Sequence, residues 1–155
     1  MKYLFALFVA LLSYSEIFSQ DIIKQMPPGF DQVQTNIPHG KIDSFNYKSK
    51  TVGTTRQSLI YTPPGYSKKP VRQGGKKYPV LYLLHGIGGD DKEWLHGGNP
   101  QIILDNLYAE GKVEPMIVIM PNGRAMKDDS ATGNIFAPDK VQAFATFEKD
   151  LLNDL

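Results

Sequence analysis

Residues 80–89 read VLYLLHGIGG. Val80 to Leu84 is an apolar run without alternation, the pattern of a strand buried on both faces in a parallel sheet covered by helices. The run passes directly into His85, Gly86, Ile87, Gly88 and Gly89. Glycines at this place let the backbone approach a ligand closely. A backbone N–H on a fixed loop can then point at an oxygen that gains negative charge, as an ester carbonyl does when attacked. The N–H of Ile87, the residue after His-Gly, is the first such donor, and His85 shapes the loop rather than acting as a base. A glycine turn without chemistry is the plainer reading, and the preceding buried strand speaks against it.

Outward from this stretch the chain alternates elements. Met116 to Met120 (MIVIM) is a second unalternating apolar strand. Between the two, Gln101 to Glu110 sets Ile102, Ile103, Leu107 and Tyr108 at helical spacing, with Gly111 as a stop signal. Strand, helix, strand is a βαβ crossover, expected to be right-handed. Upstream, Ile42 to Lys50 and Gln57 to Thr62 alternate in part around Gly53 and read as an antiparallel pair. Pro63 and Pro64 end the second strand. Downstream, Asp139 to Leu155 sets Val141, Phe144, Ala145, Glu148, Leu151, Leu152 and Leu155 at steps of three and four, an amphipathic helix expected to turn these positions inward. The expected class is α/β, with the antiparallel pair feeding a mainly parallel sheet. The second parallel strand is expected to lack its next neighbour and expose an edge, and the last helix runs to Leu155 without a cap. Both features read as truncation.

The remaining segments are less specific. Residues 21–41 hold Pro27, Pro28, Gly29, Pro38 and Gly40 and read as an extended lead-in. Lys68 to Lys77 is a basic, glycine-containing loop without aromatic interleaving, hence solvated. Asp90, Asp91 and Glu93 lack the ligand alternation of a calcium loop and read as a solvated acidic loop. Trp94 either lines a substrate cleft or covers the core. His96 to Asn99 is a second glycine-rich loop. Pro121 to Arg124 lies at the carboxyl end of a strand, where such folds place binding groups, although Asn122-Gly123 itself reads as a turn.

Met1 and Lys2, the apolar run Tyr3 to Leu12 and the small polar stretch Ser13 to Gln20 have the order of a secretory signal peptide, with Ser19 just before the cut. Residues 1–20 are therefore set apart from a domain over 21–155, and the protein is expected to be secreted or periplasmic. The run is too short for the ~20 residues of a bilayer span, so no membrane partner is expected after cleavage. The 155-residue chain has 41% hydrophobic and 21% charged residues, globular values that exclude wholesale disorder. A net charge of +1 gives no pull toward nucleic acid, and the absence of cysteine excludes disulfides, a thiol nucleophile and Cys-based metal sites.

A strand running into His-Gly-x-Gly-Gly is the oxyanion-loop pattern of α/β-hydrolases. The partner signature, Gly-x-Ser-x-Gly, is absent, and Ser44, Ser49, Ser58, Ser67 and Ser130 sit in strands or polar loops rather than on an elbow. The stretches PPGFDQV, IPHGKI, SKTVGTTRQSLIYTPPGY, YPVLYLLHGIGGDDKEW, LDNLYAEGKVEPMIVIMPN and FEKDLLNDL together resemble the feruloyl and acetyl-xylan esterases of carbohydrate esterase family one, within the esterase-D-like α/β-hydrolases. The resemblance runs from about Pro27 to Leu155 and is most specific over Leu81 to Gly89. It implies a Ser–His–Asp triad, no metal, no organic cofactor, and release of hydroxycinnamate or acetate from plant cell-wall xylan through an acyl-enzyme. Of that machinery only Ile87 carries over. No triad member does, so the chain alone is expected to be inactive. Hydrolysis of a siderophore ester or thioester is the alternative within the fold. A non-catalytic secreted carbohydrate-binding protein is the alternative outside it, and that reading needs a sandwich of many short strands.

Overall fold

A computed structural model of the protein describes residues 26–155, so the expected signal peptide lies outside the described residues. Strands β1 (Lys41–Ser49) and β2 (Thr54–Thr62) form an antiparallel hairpin in register from Lys41 opposite Thr62 to Ser49 opposite Thr54. The connection closes on Gly53, whose φ of 74° is left-handed and suits glycine. Strand β3 (Val80–Tyr82), helices α1 (Glu93–Gly97) and α2 (Pro100–Ala109), strand β4 (Ile117–Pro121) and helix α3 (Pro138–Asn153) follow. The sheet order is β1-β2-β4-β3: β4 runs antiparallel to β2 and parallel to β3. The crossover from β3 through α2 to β4 is the βαβ unit expected from the sequence.

Helices cover both faces. Leu59 and Tyr61 of β2, Val118 and Met120 of β4 and Leu104 of α2 form one buried cluster. Arg56 lies an odd number of residues from Tyr61 and therefore points to the other face, where it meets Asp150 of α3. α2 begins with Pro100 in its first turn and ends at Gly111, φ 66°, with the Lys112 N–H returning to the Leu107 carbonyl at 2.9 Å. Its buried Asp105 ties down the lead-in by accepting from the Gly40 N–H (2.9 Å), His39 Nδ1 (3.1 Å) and the Tyr61 hydroxyl (2.6 Å). Burial, and then this bond to Asp105, raise the Tyr61 pKa well above the ordinary phenol value. A β-carbon on Gly40 would overlap the Tyr61 ring, which is pinned by its hydroxyl and cannot swing aside. Gly40→Ala should therefore cost about 1–3 kcal/mol as an overpacking change, read as a lower urea midpoint. A midpoint equal to wild type would show that the ring yields.

The structure corrects three expectations. Val80 to Leu84 is not buried on both faces: Val80, Leu81, Tyr82 and Leu84 are 48%, 39%, 44% and 47% exposed. The open edge accordingly belongs to β3 and not to the second parallel strand. β4 is inserted between β2 and β3, with Val118 and Met120 fully buried. The third correction concerns α3, whose buried row is Ala143, Phe147 and Asp150, while Val141 and Leu152 face solvent. The buried row carries Asp150 inward to its partner Arg56. In addition, the acidic stretch is only partly a loop, because α1 begins at Glu93. Val71 to Gln73 forms a single exposed 3-10 turn within the basic loop. No helix among the described residues is long and apolar enough to cross a membrane.

Candidate active site

β3 delivers its chain into the loop Gly86–Gly89, and the Leu83 N–H keeps the pairing with β4 by donating to the Ile119 carbonyl at 2.9 Å. The loop folds on itself through the Gly89 N–H to the Gly86 carbonyl, 2.9 Å. A β-carbon on Gly89 would overlap the Glu93 carboxylate, the flexible end of a side chain that can turn away, and would come within 3.3 Å of the Glu93 Cβ.

His85 is buried with its ring edge against Phe144, centroids 5.6 Å apart. Its Nδ1 lies 2.6 Å from the Gly86 carbonyl, which can only accept, so Nδ1 carries the proton. Its Nε2 accepts the Gly123 N–H at 2.8 Å. Both ring nitrogens are committed to backbone, which fixes the ring's orientation. His85 thus staples the glycine loop to the segment after β4.

That segment is built as a second layer behind the loop. The Asn122 side chain accepts from the Arg124 N–H (2.9 Å) and donates to the Asp129 carbonyl (2.9 Å), an Asx turn that matches the Asn-Gly signal in the sequence. Arg124 is fully buried and donates to the carbonyls of Ile87, Gly89 and Asp129. Below it, Arg56 donates to the carbonyls of Asn122 (2.6 Å) and Arg124 (3.0 Å) and pairs with Asp150. Tyr47 closes the cluster: its hydroxyl donates to Asp150 at 2.7 Å and accepts from Arg56 at 2.9 Å. Burial first, and then the Asp150 bond, push its pKa well above the phenol value.

The other side of the loop faces a cleft of about 600 Å³ lined by Gly86, Gly88, Asp90, Glu93, His96 and Ala131, among others. This volume is ordinary for a small-molecule site (~300–1,000 Å³). Among the described residues, no protein acceptor takes the N–H of Ile87 or Gly88. Beside the cleft, burial and then the neighbouring Asp90 charge raise the Asp91 carboxyl above its usual range. Trp94 does not line this cleft. Its indole N–H donates to the Leu84 carbonyl at 3.1 Å and its ring lies against Gly98, so it braces the end of β3. Among the described residues no group of three or more His, Asp or Glu side chains could hold a metal ion.

The sequence reading thus brought His85 through Gly89 together correctly as one loop and missed its supports, Arg56 and Arg124. The only local signal for Arg124 was its place in a turn at a strand's carboxyl end. Arg56 carried none, because a polar residue in a hairpin strand reads as solvent-facing.

Helices on both faces of a mixed sheet, with a strand running into a glycine loop at its carboxyl end, define the α/β-hydrolase class. A family model with the description "Putative esterase" matches residues 49–149. The chain belongs to this esterase family, on the carbohydrate esterase family one side of the esterase-D-like α/β-hydrolases. It is 36% identical over 126 residues to an endo-1,4-beta-xylanase/feruloyl esterase of Xylanibacter ruminicola, an alignment covering 81% of this chain and 16% of that protein. It is 29% identical over 110 residues to endo-1,4-beta-xylanase Y of Acetivibrio thermocellus, covering 69% of this chain and 9% of that one. Among solved structures it is similar to a family-one ferulic acid esterase of Anaeromyces mucronatus in complex with ferulic acid. That match has a TM-score of 0.69 and 26% identity, and covers 83% of this chain and 45% of the solved one. The chain therefore spans less than half the length of each of these proteins.

Proposed function

We propose that this chain supplies the oxyanion-loop part of a secreted serine carboxylic-ester hydrolase that releases ferulate or acetate from xylan. The observation that carries the reading is the pair of N–H groups at Ile87 and Gly88 that no described residue accepts, on a loop that borders the cleft through Gly86, Gly88 and Gly89 and is held from behind by His85 and Arg124. A serine hydroxyl attacks the ester carbonyl and passes its proton to a histidine. The carbonyl oxygen becomes an oxyanion, which the Ile87 N–H stabilises together with the N–H following the serine. Collapse expels the sugar alcohol, which takes the proton back, and water then releases the acid from the acyl-serine by the same two steps reversed. In this reading the serine and its histidine and aspartate are contributed by residues beyond Leu155. His85 has a structural part, Trp94 braces the loop, and neither metal nor cofactor is required. The substrate is a plant cell-wall polysaccharide ester, reached by export through the leader over residues 1–20.

The test is hydrolysis by the protein encoded by the complete gene, with methyl ferulate and acetylated xylan as substrates and a fluorophosphonate as inhibitor. Phosphonate-sensitive release of ferulate or acetate is expected. Retention on xylan without release of either acid would instead make the protein a carbohydrate binder.

A further inference from the structure

We infer that Arg124 is a positioning residue for ester hydrolysis: from behind the loop it sets the direction in which the oxyanion donors point. The inference rests on the proposed esterase reading for its kinetic consequence and on geometry alone for its structural one.

In a trans peptide the carbonyl and the following N–H point in opposite directions, and no cis bond occurs among the described residues. Arg124 Nη2 donates to the Ile87 carbonyl and to the Gly89 carbonyl, each at 2.9 Å. Drawing the Ile87 carbonyl backward turns the Gly88 N–H forward, toward the cleft. The Gly86 carbonyl is drawn back by His85 Nδ1, which turns the Ile87 N–H forward in the same way. Two side chains thus hold two successive peptides, and the Arg124 anchors lie on both sides of Gly88. The guanidinium is itself immobile. Its Nη1 is fixed on the Asp129 carbonyl at 2.8 Å, and its backbone carbonyl is fixed by Arg56 and its N–H by Asn122.

The planar fork matters more than the charge. One nitrogen reaches two loop carbonyls while the other holds Asp129, a geometry an ammonium on a flexible stem does not reproduce. Lysine at 124 keeps the buried cation but not the simultaneous grip. A residue that merely held the fold together would lower stability when changed and leave the chemical step alone.

The experiment compares R124K and R124Q with wild type in the protein encoded by the complete gene. It reads the thermal midpoint, kcat and KM on methyl ferulate, and hydrogen exchange of the Gly89 amide, which closes the loop's own turn. For R124K the expected result is a near-normal midpoint, a kcat about 30-fold lower with KM changed by less than about threefold, and faster exchange at Gly89 with β2 and β4 unaffected. This loss lies below the ~100-fold that a 1 Å misplacement can cost. R124Q should go further in the same direction, and if it fails to fold, R124K carries the test. Wild-type kcat and wild-type Gly89 exchange in R124K would overturn the inference. So would a kcat loss accompanied by equally faster exchange throughout β2 and β4. If wild type hydrolyses no ester, the esterase reading has failed on its own, and Gly89 exchange alone then decides whether Arg124 holds the loop.

Discussion

Asp150→Ala should lower the stability of the folded protein by about 3–5 kcal/mol, the cost of leaving a buried charge without its partner. Asp150 is fully buried, and the Arg56 side chain opposite it is 1% exposed. Removing the carboxylate leaves the guanidinium with the Tyr47 hydroxyl, the carbonyls of Asn122 and Arg124, and the partly exposed Asp129 carboxylate at 3.6 Å, a weaker partner than the sealed one it loses. It also takes from Tyr47 the acceptor of its proton. Urea unfolding followed by circular dichroism reads the effect as a lower midpoint. Asp150→Asn keeps an acceptor for Tyr47 and should fall between. Replacing Arg56 and Asp150 together by methionine and leucine should be milder than either single loss, because no unpaired charge remains. A D150A midpoint within about 1 kcal/mol of wild type would mean that water reaches Arg56 and the pair is not sealed.

The largest effect on catalysis is expected at a backbone atom. Ile87→Pro removes the N–H that the proposed mechanism places on the oxyanion, since proline has no amide proton. Loss of one oxyanion donor lowers kcat by roughly 100- to 1,000-fold, and KM should move little because the ground-state ester gains little from that bond. Ile87→Val retains the N–H and should stay close to wild type, which separates the backbone from the half-buried side chain. The thermal midpoint checks that the proline is accommodated. With that midpoint retained, a kcat for I87P within tenfold of wild type would put the donor elsewhere, with the Gly88 N–H next in line.

The parts of the fold that were legible in the sequence are those governed by local periodicity. The hairpin showed as alternation around Gly53, β4 as an apolar run and α2 as a helical repeat stopped at Gly111. The glycine loop after β3 was legible because its glycines break the apolar run of the strand. What escaped was decided by contacts between distant residues. Arg56 and Asp150 are 94 positions apart, and Arg124 reaches back 37 positions to Ile87. No window of ten or fifteen residues contains either relation. In α3 the buried row includes Asp150, which meets Arg56, while Leu152, a core residue by spacing, is 73% exposed. The edge position of β3 was equally non-local, because it depends on β4, a later strand, inserting next to β2.

The distance along the chain between Arg56 and Asp150 also imposes an order on events at the ribosome. The hairpin leaves the exit tunnel early, with a guanidinium on the face that must become dry. The buried carboxylate that pairs with it, Asp150, is synthesised 94 residues later, roughly 5–20 seconds at ordinary elongation rates. Throughout that interval this face of the sheet has to stay wet, and the shell behind the glycine loop is incomplete, since Arg56 fixes the Asn122 and Arg124 carbonyls on which it is built. Emergence of α3 is therefore the step that lets this face of the sheet become dry.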